Sequence, residues 1–316
     1  MLDNREIINK AANETITTGS LNNGLLNPEQ ARKFLQQTFD ATELGKVVRH
    51  EMRTAKTGEI DKIGIDSRIL RKKTENTDDG YRANVKTNAI EYATTAVRLP
   101  WEITEETLRE NIEGQHFEQI VTDLMTRQMG IDTEDLYLNG DESVSATLDG
   151  GGNNPDYDFL KINDGWIKQI KQDGHVFDAS NADLNLDLFY NALHSIPNKY
   201  NNGNLRWIMS PHMRQAFELF LLNQVINKGG IVPESLYKSP AGVPILESSR
   251  MANDTILLTD PKNLIVVNTY GIKVRRTTEG KEAVMMDKRF YVIHFDYDPI
   301  IEETDATGII TGLKVV

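Results

Sequence analysis

The residues able to do chemistry are few and scattered. Six histidines (His50, His116, His175, His194, His212 and His294) stand apart, and none forms a His-x-x-x-His pair or another metal spacing. The chain has no cysteine, which excludes thiolate nucleophiles, disulfides and cysteine-ligated zinc or iron–sulfur centres. Ser210-Pro211-His212 places a hydroxyl near an imidazole, but it reads better as a helix start, and no Gly-x-Ser-x-Gly elbow is present. Gly150-Gly151-Gly152 is not followed by Gly-Lys-Ser/Thr, so it is no phosphate loop. Asp149, Asp156 and Asp158 could hold Ca²⁺, but the EF-hand spacing is missing. Asp296 and Asp298 alternate at a strand end and Glu302-Glu303 follow, yet neighbouring carboxylates mean little in a chain with 47 acidic residues. The expectation is no catalytic site, no cofactor and no metal.

Charge is more informative. The formal net charge is −12, which argues against a general nucleic-acid binder. Between Lys46 and Lys86, however, eleven basic residues face seven acidic ones, a local +4 that leaves −16 for the remainder. The densest cationic cluster is Arg68, Arg71, Lys72, Lys73 and Arg82. A basic segment on an acidic body suits association between unlike surfaces of the same molecule, or a solvated hairpin.

The elements that position these residues can be taken in order. Residues 1–26 are polar, rich in Asn and Thr, and read as an arm ordered by neighbours, with a short helix possible near Arg5–Ala12. Asn27-Pro28-Glu29 starts a short helix ending near Thr42. Residues 46–88 read as a two-stranded excursion with a charged tip at 72–82, too poor in large apolar residues for a core of its own. Ala89 to Leu99 is rich in β-branched residues and reads as a strand closed by Pro100. Thr104 then caps a helix with Glu105 and Glu106 in its first turn, and Ile103 with Leu108 forms a hydrophobic staple. Phe117, Ile120, Val121, Leu124, Gln128 and Ile131 form a stripe on a helix from about His116 to Leu138, about 35 Å long. Asn139-Gly140 is its expected left-handed cap.

Asp141 to Asp158 is a loop, followed by a short helix with Leu160, Trp166, Ile167 and Ile170 on its apolar face. From Gly174 to Tyr270 the pattern is α/β. Helices are expected over 184–193 and from Ser210-Pro211 to Leu222, with strands at 205–209, 242–246, 255–259 and 264–267 and a turn at Asp260-Pro261-Lys262-Asn263. Ile272 to Val274 and Arg289 to Asp296 alternate as strands returning to the one at 89–99. No run of 18 apolar residues and no basic-then-apolar leader is present, so no membrane partner is expected.

The run Leu99-Pro100-Trp101-Glu102-Ile103-Thr104-Glu105-Glu106-Thr107-Leu108, a long helix, and Thr133-Glu134-Asp135-Leu136-Tyr137-Leu138-Asn139-Gly140-Asp141 resembles major capsid proteins of tailed bacteriophages with the HK97-type fold. The order helix, strand, Ser-Pro helix, Gly-Val-Pro-Ile strand and strand–turn–strand also resembles that family's axial domain.

The resemblance implies an α+β fold with five parts: an N-terminal arm and short helix at 1–45, an extended loop at 46–88, a peripheral domain with a spine helix at 89–173, an axial domain at 174–270, and returning strands at 271–316. It implies a head protein, not an enzyme, that assembles in the host cytoplasm as hexamers and pentamers into an icosahedral virion shell around double-stranded DNA. An encapsulin-type nanocompartment shell shares that fold, and a soluble α/β enzyme is the alternative of another class. Only about 45 residues precede the loop, which implies either a separate scaffolding protein or a chain already processed; the initial Met favours the separate scaffold, and a portal and a maturation protease or decoration proteins are expected beside it. DNA contact is expected to be non-specific. The family's loop crosses a neighbouring subunit, which would bring Arg68, Arg71, Lys72, Lys73 and Arg82 to Glu102, Glu105, Glu106, Glu110, Glu113 and Glu118 of the next copy. Some such shells join a Lys to an Asn. Lys56, Lys62, Lys72 and Lys73 lie in the loop and make such a bond conceivable, but no sequence pattern fixes an Asn or Glu partner, so no cross-link is predicted from the sequence.

Overall fold

The computed structural model describes residues 24–25, 38, 42–64, 68–72, 80–82, 85–110, 117–148, 151–228, 238–270 and 272–314. Its organising element is a 14-residue strand, Lys288–Ile301. Tyr291, Ile293, Phe295 and Tyr297 are buried on one face, and Phe290, Val292, His294 and Asp296 are half-exposed on the other. Such alternation marks a sheet with one fully covered side. The strand pairs antiparallel with Thr95–Thr104, Lys273–Thr277 and Leu264–Thr269. Arg49–Arg53 adds in parallel to Leu264–Thr269, and Gly24–Leu25 adds to Lys273–Thr277.

Pro100 does not close its strand as expected. Thr95–Thr104 runs through it, with Pro100 opposite Val292. The ladder partner of this strand among the described residues is Lys288–Ile301 alone, and a strand with one free edge tolerates a missing N–H. The strand ends where Thr104 caps the helix Glu105–Glu110, its Oγ1 accepting from Thr107 N at 3.3 Å. Ile103 and Leu108 both join the main core.

The helices Phe117–Asn139 and Trp166–Asp173 supply residues to the core under this sheet. Trp166 donates its indole N–H to Ile300 O at 3.1 Å, and Tyr297 donates its hydroxyl to Asn163 Oδ1 at 2.6 Å. Tyr137 meets Trp166 and Tyr297 with ring centroids 5.7 and 5.1 Å away. The long helix buries a different stripe from the one its periodicity suggested. Thr122, Thr126, Met129 and Thr133 face inward, whereas Ile120 and Leu124 are 39% and 59% exposed. The inward threonines bond their own helix, Thr126 Oγ1 to Thr122 O at 2.9 Å and Thr133 Oγ1 to Gly130 O at 3.1 Å. Each buried hydroxyl is thereby satisfied within the helix itself.

Gly140 is not in the left-handed region, contrary to the expected cap. It is needed for closeness instead. A Cβ there would lie 2.4 Å from Asn163 O, and Gly165 N donates to Gly140 O at 2.8 Å.

A second sheet runs in the order His175–Asp178, Gly308–Thr311, Ile256–Thr259, Arg206–Met209, Ile245–Glu247. Helices Leu186–Ser195 and Pro211–Lys228 supply Phe189 and Phe217, which pack with Trp207 in a separate core. Ser210 Oγ accepts from Met213 N at 3.1 Å, so Ser210-Pro211 is a helix start. The strands Ile256–Thr259 and Leu264–Thr269, expected on either side of a turn, do not pair with each other. Each belongs to a different sheet, and the turn between them is the crossing. Gly308–Thr311 joins the smaller sheet, not the larger one. The region expected as one helix after the 141–158 loop is two, Tyr157–Leu160 and Trp166–Asp173. Residues 1–23 and the expected helix at 27–41, apart from Thr38, lie outside the described residues. Thr42 caps a further helix, Glu43–Val47, with its side chain accepting from Gly45 N at 3.2 Å.

Candidate intersubunit interface

The excursion is a hairpin of Thr57–Gly64 and Lys86–Ala93. Arg49–Arg53 belongs to the main sheet instead. The hairpin's root lies on the sheet's outer face, where Ile60, Tyr92, Ile265, Val267 and Ile300 form a third cluster. Gly58 makes room for Tyr92, whose hydroxyl would sit 2.8 Å from a Cβ at that position. Polar contacts pin the same root. Lys56 pairs with Asp296 at 3.2 Å, Lys62 with Glu303, and Ala93 N donates to Asp298 Oδ2 at 2.8 Å. Burial raises the Asp298 pKa to about 6, with Glu142 adding to the rise and the Ala93 N–H opposing it. Asp296, Asp298, Glu302 and Glu303, the best acid–base candidates in the sequence, are therefore structural: Glu302 holds Arg49 at 3.1 Å, and Glu303 also accepts from Tyr200 at 3.1 Å. Among the described residues no group of three His, Asp or Glu side chains could hold a metal.

Beyond the root the hairpin leaves the body. Ile63, Leu70 and Val85 are 73%, 93% and 59% exposed. Arg68, Arg71 and Lys72 are exposed on the first leg, and Arg82 is exposed on the second. Tyr81 joins the legs, with Arg71 stacked 4.3 Å over its ring, its hydroxyl 3.5 Å from Arg68 O, and its carbonyl accepting from Arg82 at 2.8 Å. Lys73 lies outside the described residues.

The expected acidic counterpart is partly committed within the chain. Glu102 pairs with Lys288 at 2.6 Å, and Glu105 Oε2 accepts from Arg289 Nη2 at 3.1 Å. Glu106 is exposed in the first turn of its helix. Glu110 ends that helix, and the side chains of Glu110, Glu113 and Glu118 lie outside the described residues.

One feature escaped the sequence reading. The outer sheet face is covered by the hairpin root only near Asp296–Ile300. Over the other half lies an open groove of about 920 Å³. Pro100, Phe290 and Val292 contribute its apolar floor, while Arg98, Arg275 and His294 add cationic and imidazole groups, with Glu102 also lining it. Register aligns Arg98 with His294 and Arg275 with Val292. Nothing in the sequence marked it, because the strands that line it come from three separate stretches, Thr95–Thr104, Lys273–Thr277 and Lys288–Ile301, whose pairing the pattern does not show. The short helix Lys281–Met286, also missed, exposes Val284, Met285 and Met286 by 70%, 79% and 57%.

A helix-backed sheet, a second α/β body and a hairpin rooted on the first sheet and bare beyond its root define a shell subunit of the HK97-type capsid fold. The chain belongs to the phage capsid family, whose model matches residues 22–298. It is 26% identical to the putative prophage capsid protein YqbE of Bacillus subtilis (strain 168), over 98% of this chain and 99% of that one. Its fold is similar to a chain of the satellite phage P4 procapsid that includes the size determination (Sid) protein, with TM-score 0.67, 15% identity, and 99% and 97% of the two chains covered. It is also similar to the capsid of an empty GTA particle, with TM-score 0.59, 10% identity, and 98% and 99% covered. Family membership makes this chain a structural capsid protein of the virion, not an enzyme.

Proposed function

We propose that copies of this chain close as hexamers and pentamers into an icosahedral shell around double-stranded DNA, each hairpin crossing to the next copy. The observation that carries the crossing is the hairpin itself, anchored at its root and bare beyond it, with Leu70 93% exposed. Large apolar groups held away from a core mark a surface meant for a partner. The five-part division into arm, loop, peripheral domain, axial domain and returning strands goes with this reading. Arg68, Arg71, Lys72, Lys73 and Arg82 would meet the start of the neighbour's Glu105–Glu110 helix. Glu106 and Glu110 are the primary acceptors, because Glu102 and Glu105 already hold Lys288 and Arg289. A separate scaffolding protein, a portal and a maturation protease or decoration proteins complete the proposed partners. With a net charge of −12, packaged DNA is touched weakly and without base readout. Electron microscopy of the overexpressed chain, with and without a scaffolding protein, tests this reading. Closed shells or polyheads are expected; a monodisperse 35.7 kDa monomer under both conditions would overturn it.

A further inference from the structure

We propose that Asn202-Gly203 is a self-modifying site, at which each copy slowly exchanges the Asn202 side-chain amide for a carboxylate. The reagents are the chain's own peptide nitrogen and water. The inference goes beyond the shell reading and stands without it.

The chain contains three Asn-Gly pairs, Asn23-Gly24, Asn139-Gly140 and Asn202-Gly203. A glycine has no Cβ to shield its peptide nitrogen, which can close a five-membered ring on the Cγ of a preceding asparagine. Asn23 lies outside the described residues. The fold treats the other two pairs in opposite ways. At Asn139 the reacting atoms are held. Its Nδ2, the nitrogen that would leave, donates to Asp135 Oδ1 at 2.8 Å and to Arg250 O at 2.7 Å. Gly140 N, the nucleophile, donates to Leu136 O at 3.0 Å, and Gly140 is buried. Ring closure there would break the last turn of the long helix.

At Asn202 the same atoms are free. Asn201, Asn202, Gly203 and Asn204 are all exposed. Among the described residues neither Asn202 Nδ2 nor Gly203 N makes a hydrogen bond. Gly203 sits at φ 86° with nothing within 4 Å of its Cβ position, so the backbone has room to turn. One bond is made, and it favours the reaction: Asn204 N donates to Asn202 Oδ1 at 3.1 Å. That oxygen takes the negative charge when Cγ is attacked, and a backbone N–H already directed at it serves as an oxyanion donor.

The step balances without an oxidant or reductant. Gly203 N loses its proton to solvent and bonds to Cγ. The Cγ–Nδ2 bond breaks, and Nδ2 leaves as ammonia with a proton from water. Water then adds to either carbonyl of the resulting succinimide ring and reopens it. Position 202 becomes an aspartyl or isoaspartyl residue with one new negative charge. Arg206 Nη1 lies 3.4 Å from Gly203 O, so the charge arises beside a guanidinium. The isoaspartyl form also adds a methylene to the backbone two residues after Tyr200, whose hydroxyl holds Glu303.

The test incubates the full chain at mildly alkaline pH in water labelled with heavy oxygen, once native and once in urea, and maps its peptides by mass spectrometry. In the native chain, label should enter position 202 at least ~10-fold faster than position 139, the ratio set by a barrier difference of ~1.4 kcal/mol. In urea the two rates should converge. The labelled peptide should accept a methyl group from an isoaspartyl methyltransferase. Asn202→Gln, at an exposed side chain, should fold normally and take up no label there, because its longer side chain closes a six-membered ring instead. Native rates at 202 no faster than at 139 overturn the proposal. A ratio that persists in urea overturns it too, since the fold would then not be what separates the two sites.

Discussion

Ser248 donates its hydroxyl to Glu134 Oε1 at 2.7 Å, joining the long helix to the segment that follows strand Ile245–Glu247 of the smaller sheet. Both residues are buried, at 2% and 3% exposure. A buried carboxylate that loses its donor carries its desolvation cost uncompensated. Ser248→Ala should therefore destabilise the subunit by ~1–3 kcal/mol, read from urea unfolding. An unchanged midpoint would show that the contact between the two bodies rests on packing alone.

Gly140 and Gly165 are predicted to tolerate no side chain. A Cβ on Gly165 would lie 2.8 Å from both Gly140 N and Leu138 O, all backbone that cannot rotate away. Gly140→Ala and Gly165→Ala should each cost more than ~2 kcal/mol or abolish soluble subunit. Gly280→Ala is not an equivalent control, because Gly280 sits at φ 123°. Gly64→Ala is, since nothing lies within 4 Å of its Cβ position, and it should fold normally.

Gly140 also shows what was legible in sequence. Asn-Gly after a periodic run marks a helix end, and the helix does end at Asn139. The reason for glycine was only partly local: Leu136 O lies 2.7 Å from the Cβ position, but the tighter contact, Asn163 O, comes from a loop more than twenty residues later. The same limit explains Pro100 and the 256–269 region: alternation identifies a strand but not its partner, so nothing in the pattern showed that the two strands on either side of the turn belong to different sheets. The stripe on the long helix failed differently. Its apolar residues Ile120 and Leu124 point away from the subunit core, where threonines take their place. The acidic and basic site residues were readable as charge, but that Glu102 and Glu105 were already engaged by Lys288 and Arg289 depended on register across 184 residues or more.

Asp298 gives the hairpin root a pH dependence of definite sign. In the unfolded chain its carboxyl titrates near 3.8, and in the fold near 6. Between those values the folded subunit holds a proton that the unfolded chain has lost. This group's contribution therefore favours folding below about pH 4, weakens as pH rises, and is fully unfavourable above about pH 6. Asp298→Asn keeps an oxygen to accept from Ala93 N but cannot ionise. It should stabilise the subunit at pH 7 by about 1–2 kcal/mol, after solvent screening of a partly exposed carboxylate, and by nothing at pH 4. Equal effects at both pH values in paired unfolding curves would assign Asp298 a purely packing role.

The exposed helix Lys281–Met286 should matter to assembly and not to folding. Met285 is 79% exposed and Val284 70%, so replacing either with Lys removes little burial from the isolated subunit. Val284→Lys with Met285→Lys should leave the melting temperature within about 2 °C, as a surface change does. Shell yield in gradient sedimentation should fall if this helix meets a neighbour. Unchanged yield would make the patch an ordinary surface.

The loop cations provide the remaining test. Arg71 and Lys72 are exposed, and the Tyr81 stack holds Arg71 near the second leg without a carboxylate partner among the described residues. One exposed ion pair contributes only ~0–1 kcal/mol, but a closed shell repeats it at every neighbour contact. Reversing Arg71, Lys72 and Lys73 to Glu should therefore block assembly and leave the subunit's melting temperature unchanged. Rescue should come from Glu106→Lys with Glu110→Lys. Glu105→Lys should rescue poorly, because it would also strand Arg289, which Glu105 now holds. Normal assembly of the triple reversal at physiological salt would remove these residues from the interface, and loss of subunit folding would place them in the subunit's own structure instead.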